Sequence, residues 1–180
     1  MAGSLAARSF NMRTLYLVRH AKSSWADSSL ADHERPLNKR GRCDAPAMGQ
    51  RLAEKKVKVD AIWSSPALRA VQTAEFLAPS LKVSRKLIER HARLYTNSIE
   101  DLFSEVTTCS DKIKALMIVG HNPVITEFAD HLIDHNHASE IIQIPTCGIV
   151  GVEYQCSSWK QIKYNTGQLL FFDYPKKSFS

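Results

Sequence analysis

Three short, apolar, β-prone runs, each ending at a polar junction that opens a helix-periodic segment, constrain this chain more than any other feature. The first, Thr14-Leu15-Tyr16-Leu17-Val18, stops at Arg19-His20. The second, Asp60-Ala61-Ile62-Trp63, leads into Ser64-Ser65-Pro66, which reads as an N-cap serine with proline at the first helical position. Ala67, Ala70, Val71, Ala74, Leu77 and Ala78 then recur at helical spacing, predicting a helix over 66–78 with Arg69 in its first turns. The third, Ala115 to Val119, ends at Gly120-His121-Asn122-Pro123. Val124, Ile125, Phe128, Ala129, Leu132 and Ile133 form the helical face beyond it, with Asn122 as the expected cap. Asn38, after Arg35-Pro36-Leu37, is placed to cap one more helix running to about Lys55, which Pro46 is expected to kink or delay to near Cys43. Runs around Gly148–Tyr154, Gln161–Tyr164 and Leu169–Asp173 read as further strands, at least one of them antiparallel. Strands alternating with helices predict an α/β sheet, whose ligands bind beyond the carboxyl ends of the strands, where helix N-termini also point.

Composition narrows the partners. The chain has 180 residues, 44% hydrophobic and 23% charged, which excludes disorder and predicts one domain over residues 13–175 behind a flexible tail over 1–12. That tail has two arginines and no acid but is short for a targeting helix. No apolar run approaches the ~18 residues of a membrane span, and no membrane partner is expected. A net charge of +6 favours anionic partners. No aromatic residues interleave with the basic run Lys55-Lys56-Val57-Lys58, which reads as a solvated helix end, so no nucleic-acid partner is expected. Cys43, Cys109, Cys147 and Cys156 form no metal or redox motif and point to a reducing compartment.

The three junctions present Arg19, His20, Arg69 and His121 on one edge of the sheet, and two guanidiniums with two imidazoles describe a phosphate site. Bidentate arginine contacts hold phosphoryl oxygens strongly. A neutral imidazole is a competent nucleophile toward phosphorus near pH 7, which makes His20 the candidate nucleophile. His121 is expected to be its protonated partner, neutralising charge in the transition state. These four side chains supply the positive charge a metal would bring, so no metal and no cofactor are expected.

Leu17-Val18-Arg19-His20-Ala21-Lys22-Ser23, Ser64-Ser65-Pro66-x-x-Arg69-Ala70-x-Gln72-Thr73-Ala74 and Gly120-His121-Asn122-Pro123 together resemble the histidine phosphatase superfamily, also called phosphoglycerate mutase-like. Asp32-x-x-Arg35-Pro36-Leu37-x-x-Arg40-Gly41 narrows the resemblance to its small phosphohistidine phosphatase, SixA-like branch, and the likeness runs from about 13 to 155. The resemblance implies a three-layer α/β/α sandwich with a mostly parallel sheet, phosphorylation of His20, and a phosphate pocket lined by Arg19, Arg69 and His121. It leaves the general acid open. Asp32 matches a carboxylate position of the small branch, and Glu89 lies where mutase-like relatives often carry theirs. Lys22, Ser23 and Arg35 are candidate substrate-binding residues, although Lys22 and Ser23 could equally just end the phosphate loop.

A pocket without a placed acid favours activated phosphates, because the imidazole of phosphohistidine leaves readily once protonated while an alkoxide does not. The short interval from Arg69 to His121 leaves little chain for a lid, and the rim of Lys22, Arg35, Lys39, Arg40 and Arg42 is basic and open. The expected function is therefore a metal-independent phosphatase acting on phosphohistidine or another activated phosphate of a protein. The alternatives are a phosphatase or mutase of a small phosphorylated metabolite and a catalytically weak phosphate-binding adaptor. Arg90-His91, a second Arg-His pair in a polar setting, serves as an internal control, reading as surface. His131, His135 and His137 read as a polar helix end rather than a metal site, since no H-E-x-x-H motif is present.

Overall fold

The computed structural model describes residues 11–136 and 141–177. Most of the tail expected over 1–12, together with His137, lies outside the described residues, and Met12 already belongs to the first strand. The strands are β1 (Met12–Arg19), β2 (Ala61–Ser64), β3 (Ile88–Arg90), β4 (Ala115–Gly120), β5 (Ile149–Gln155) and β6 (Gln168–Asp173), and the helices are α1 (Lys39–Glu54), α2 (Leu68–Leu77), α3 (Ile99–Thr107) and α4 (Val124–Leu132). They form one six-stranded sheet in the order β3-β2-β4-β1-β5-β6. The β3-β2-β4-β1 part is parallel, and β5 and β6 add antiparallel pairings.

Side chains alternate across a strand, so each central strand feeds two cores. Leu15, Leu17, Leu116 and Ile118 face α3 and α4, where Leu102, Val106, Phe128 and Leu132 complete one apolar layer over Trp159. Tyr16, Val18, Met117 and Val119 face the other way, onto Ala45, Met48 and Leu52 of α1 and Ala70, Ala74 and Leu77 of α2. Every residue of β4 is buried, as expected of a parallel strand covered on both faces. The result is a three-layer α/β/α sandwich with a mixed, mostly parallel sheet, as expected.

Several local expectations are revised. α1 begins at Lys39, capped by Asn38 accepting from Gly41 N at 2.9 Å, and runs through Pro46. The carbonyl that Pro46 leaves unpaired belongs to exposed Arg42, where water can satisfy it. α2 starts at Leu68 rather than at Pro66, because Ala67, with ψ 133°, is outside the helical region and serves as its N-cap. α4 has Pro123 rather than Asn122 as its N-cap, since the Asn122 side chain bonds Thr126 and the Ile144 carbonyl instead. Gln161–Tyr164 is not a strand. Ser158 caps a 3₁₀ turn over Trp159–Gln161 there, and Trp159 is buried with its indole N–H donating to Ile113 O at 2.7 Å.

Candidate active site

Strand register brings the junctions together. Arg19 pairs with Gly120 at the ends of β1 and β4, and Ser64 pairs with Val119, so His20, Ser65 and His121 emerge side by side. Backbone bonds fix the loop after β1: His20 N donates to Gly120 O at 3.0 Å, and Cys147 N donates to the carbonyls of both Arg19 and His20, at 3.0 and 3.2 Å. Ala21 N donates to Thr73 Oγ1 at 3.0 Å, and the Thr73 hydroxyl donates to Arg69 O at 2.7 Å, which ties the loop after β1 to α2. On the other side, Lys22 O accepts from Asn38 N at 2.9 Å. Gly41 approaches so closely that a Cβ there would overlap the Lys22 carbonyl.

Partners assign both imidazole tautomers. His20 Nδ1 lies 2.7 Å from the Ala21 carbonyl, so it carries the proton, and Nε2 keeps its lone pair, 3.3 Å from Arg69 Nε. His121 Nδ1 lies 3.3 Å from Arg69 Nη2, which can only donate, so the His121 proton sits on Nε2, 2.7 Å from Ser65 Oγ. Both unprotonated nitrogens thus face one guanidinium, with the two ring centroids 5.1 Å apart. Burial acts most strongly on His20. Against the opposing bond to Ala21, burial and the Arg69, Arg19 and Arg35 charges bring its pKa from 6.5 to about 4. Burial, then His20 and Arg69, bring His121 to about 3, with Asp32 opposing. The sequence expectation places a proton on His121 in the transition state; in the free site these influences oppose it. Burial first, and then the charged Arg69 guanidinium beside it, disfavour a charge on the free ring.

Arg69, itself buried, also contacts Asp32, through Nη1 to the backbone carbonyl and through Nη2 to Oδ2 at 2.8 Å. Asp32 further accepts from Tyr95 Oη at 2.7 Å and from Arg35 Nη1 at 2.8 Å. The Tyr95 bond, then Arg69 and Arg35, hold the Asp32 carboxyl well below the usual carboxylate range, although half of its side chain remains exposed to water. Arg19 donates to Ile144 O at 2.9 Å, while its buried Nε has no partner among the described residues. Asp32, Arg69, Tyr95, Thr96, Asn97, His121 and Asn122 line a cleft of about 280 Å³ beside these groups.

Arg19, His20, Arg69, His121 and Asp32 are thus brought together. Arg35 and Ser23 are buried and bond each other at 2.7 Å, and Arg35 also bonds Ser24 O and stacks on Trp25. They hold the loop that carries Asp32, while Lys22 is exposed. Glu89 lies on β3, mostly exposed and 3.5 Å from His91, and does not line the cleft. The control pair is also elsewhere: the His91 ring stacks on Trp63 and bonds Glu105 at 2.6 Å. His131 and His135 bond the carbonyls of Glu127 and Asp130. Among the described residues, no helix is long and apolar enough to cross a membrane.

Sequence reasoning missed three contributors. Tyr95 packs edge-on against His121, with centroids 5.2 Å apart, and reaches Asp32 from far along the chain with no periodic pattern to mark it. Ser65, read as a helix cap, accepts from Ala67 N at 3.3 Å and also orients His121. Thr73 stood inside the quoted motif, but its bridging role depends on a loop distant in sequence.

Comparison with known proteins agrees with this architecture. A protein from Mycobacterium tuberculosis, itself uncharacterized, is 28% identical over 165 residues, covering 88% of this chain and 100% of that one. SixA from Agrobacterium tumefaciens superposes with a TM-score of 0.74 at 26% identity, covering 91% of this chain and 98% of that one. A tungstate complex of the protein histidine phosphatase SixA superposes with a TM-score of 0.75 at 18% identity, covering 90% and 97%. The sequence profile of branch 1 of the histidine phosphatase superfamily matches residues 15–107, from the first strand through α3. The chain therefore belongs to the histidine phosphatase superfamily and has the SixA-like form of its fold.

Proposed function

We propose that the protein is a metal-independent phosphatase that works through a phosphohistidine at His20, with phosphohistidine or another activated phosphate on a protein as its substrate. The observation that carries this reading is the orientation of His20, whose Nδ1–H is committed to Ala21 O while the Nε2 lone pair faces Arg69, where a phosphoryl group would be held. Tungstate, a tetrahedral oxyanion, is bound by the similar SixA structure, and an anion of that shape suits the arginines here.

In the first step the His20 Nε2 lone pair forms a bond to phosphorus while the bond to the leaving nitrogen or oxygen breaks and takes its electron pair. Arg69 and Arg19 hold the equatorial oxygens, and such preorganised donors contribute most where charge develops. In the second step water attacks phospho-His20, the P–N bond breaks toward Nε2, and inorganic phosphate leaves. The protons of that water stay on the oxygens of the phosphate formed. Asp32 is held ionised by Tyr95, Arg69 and Arg35, so it has no proton to give a leaving group and is too weak a base to take one from water; it orients Arg69. A leaving group that departs without a strong acid, such as a phosphohistidine ring protonated by solvent, matches that arrangement better than an alkoxide.

Phosphoenzyme trapping tests the proposal. Incubation with phosphoramidate followed by rapid alkaline quenching should give a phosphorylated peptide containing His20, and His20→Ala should give none. Arg69→Ala should slow formation by about 10²–10³, the usual cost of one oxyanion donor. Hydrolysis undiminished in His20→Ala would refute the covalent route, and binding without any phosphoenzyme would support the adaptor instead.

A further inference from the structure

A second cavity, of about 460 Å³, opens beside the cleft and shares Asn122 with it, with Pro123, Thr126, Glu127, Ile142 and Gln143 as its other walls. Its floor is prebuilt. Thr126 Oγ1 donates to Asn122 Oδ1 at 2.9 Å and accepts from Ile144 N at 3.0 Å, and Asn122 Nδ2 donates to Ile144 O at 3.1 Å. These bonds fasten the loop at 141–144 to the first turn of α4. Ile141 and Ile144 are buried, yet Ile142 between them is 86% exposed, so a large apolar side chain is held out over the cavity by anchors on both sides. Glu127 is exposed in the same wall and makes no ion pair among the described residues. An acid in a helix's first turn suits the dipole, but that does not explain the apolar side chain beside it.

The two cavities have opposite character across Asn122: a guanidinium at one end, and at the other a carboxylate with no ion pair among the described residues, beside apolar surface. We propose that this groove is a substrate subsite that takes the aliphatic stem and cationic head of a lysine or arginine flanking the phosphorylated residue of a polypeptide. Such a side chain lays its methylenes on Ile142 and Pro123 while its charge meets Glu127. Continuity with the cleft and charge complementarity identify the occupant as the chain that carries the phosphate, and the inference rests on the phosphatase reading above. The net charge of +6 would by itself favour acidic peptides, so a preference for basic ones has to arise locally.

The test uses fluorescent peptides bearing a stable phosphonate analogue of phosphohistidine, with arginine or glutamate at each of the two positions on either side, and reads Kd by anisotropy. At one flanking position the arginine peptide should bind about threefold tighter or more, as expected for a partly screened ion pair with apolar contact. Glu127→Lys should abolish or invert that preference, Ile142→Ser should weaken the arginine peptide alone, and phosphoenzyme formation from phosphoramidate should be unchanged in both variants. Equal binding at every position, no binding of either peptide, or a preference that survives Glu127→Lys would overturn the proposal. Because binding is read without turnover, failure to form phosphoenzyme would count against the catalytic reading alone.

Discussion

Two histidines of one site carry their protons on opposite nitrogens, and the neighbours that impose this also set when each can titrate. His20 and His121 fall to about 4 and about 3, so both rings are neutral throughout the physiological range. In ring-carbon NMR spectra, neither signal should titrate between pH 8 and 5. A midpoint near the ordinary 6.5 for either would show that the guanidiniums and burial do not act as described. Adding tungstate places negative charge beside His121 Nδ1 and should move its midpoint upward, because an anion favours the charged ring. Such an upward shift is what the imidazolium expected from sequence in the transition state requires. Arg19, His20, Arg69 and His121 were legible at this scale because each stands at a strand end or in the helix that follows. Tyr95 and Ser65 were not, because their roles exist only through contacts with residues far along the chain.

Elements position these side chains through backbone contacts more than through side-chain packing. The N-terminus of α1 lies directly against the His20 loop at Gly41, and Thr73 of α2 links that loop to the Arg69 carbonyl. Gly41→Ala should favour the helix intrinsically by about 0.8–1 kcal/mol. It nevertheless has to push Lys22 and the following residues away, so phosphoenzyme formation should fall at least tenfold while far-UV circular dichroism stays native. Full activity in that variant would show that the loop tolerates displacement. The motif glycine was visible in the sequence, but its reason was not, since nothing local says that a backbone carbonyl passes that closely. Helix existence was read correctly from apolar periodicity, whereas the starts of α2 and α4 were misplaced, since Ala67 stays outside the helical region and the Asn122 side chain serves the loop at Ile144 instead of the helix end.

For the whole molecule, alternating apolar runs made the layered α/β plan legible, with β5 and β6 as strands. The order of strands across the sheet was not legible, because pairing is set by contacts between distant segments. The site's electrostatics also reach global stability. Unfolded histidines bind protons near pH 6.5 while His20 in the fold resists until about 4, so acidification through that interval favours the unfolded state. Asp32, depressed in the fold, adds its own loss only as pH falls through the ordinary carboxylate value of 3.8. Urea midpoints should therefore decline from about pH 6.5 downward and decline less in His20→Asn. A flat profile between pH 6.5 and 5 would sink this account. The position of β1 between β4 and β5, with Cys147 bonded to the carbonyls of Arg19 and His20, has one more consequence. β1 and the loop after it find their partners only in β4, Cys147 and β5, so the cluster around His20 assembles only once those later segments have folded against it.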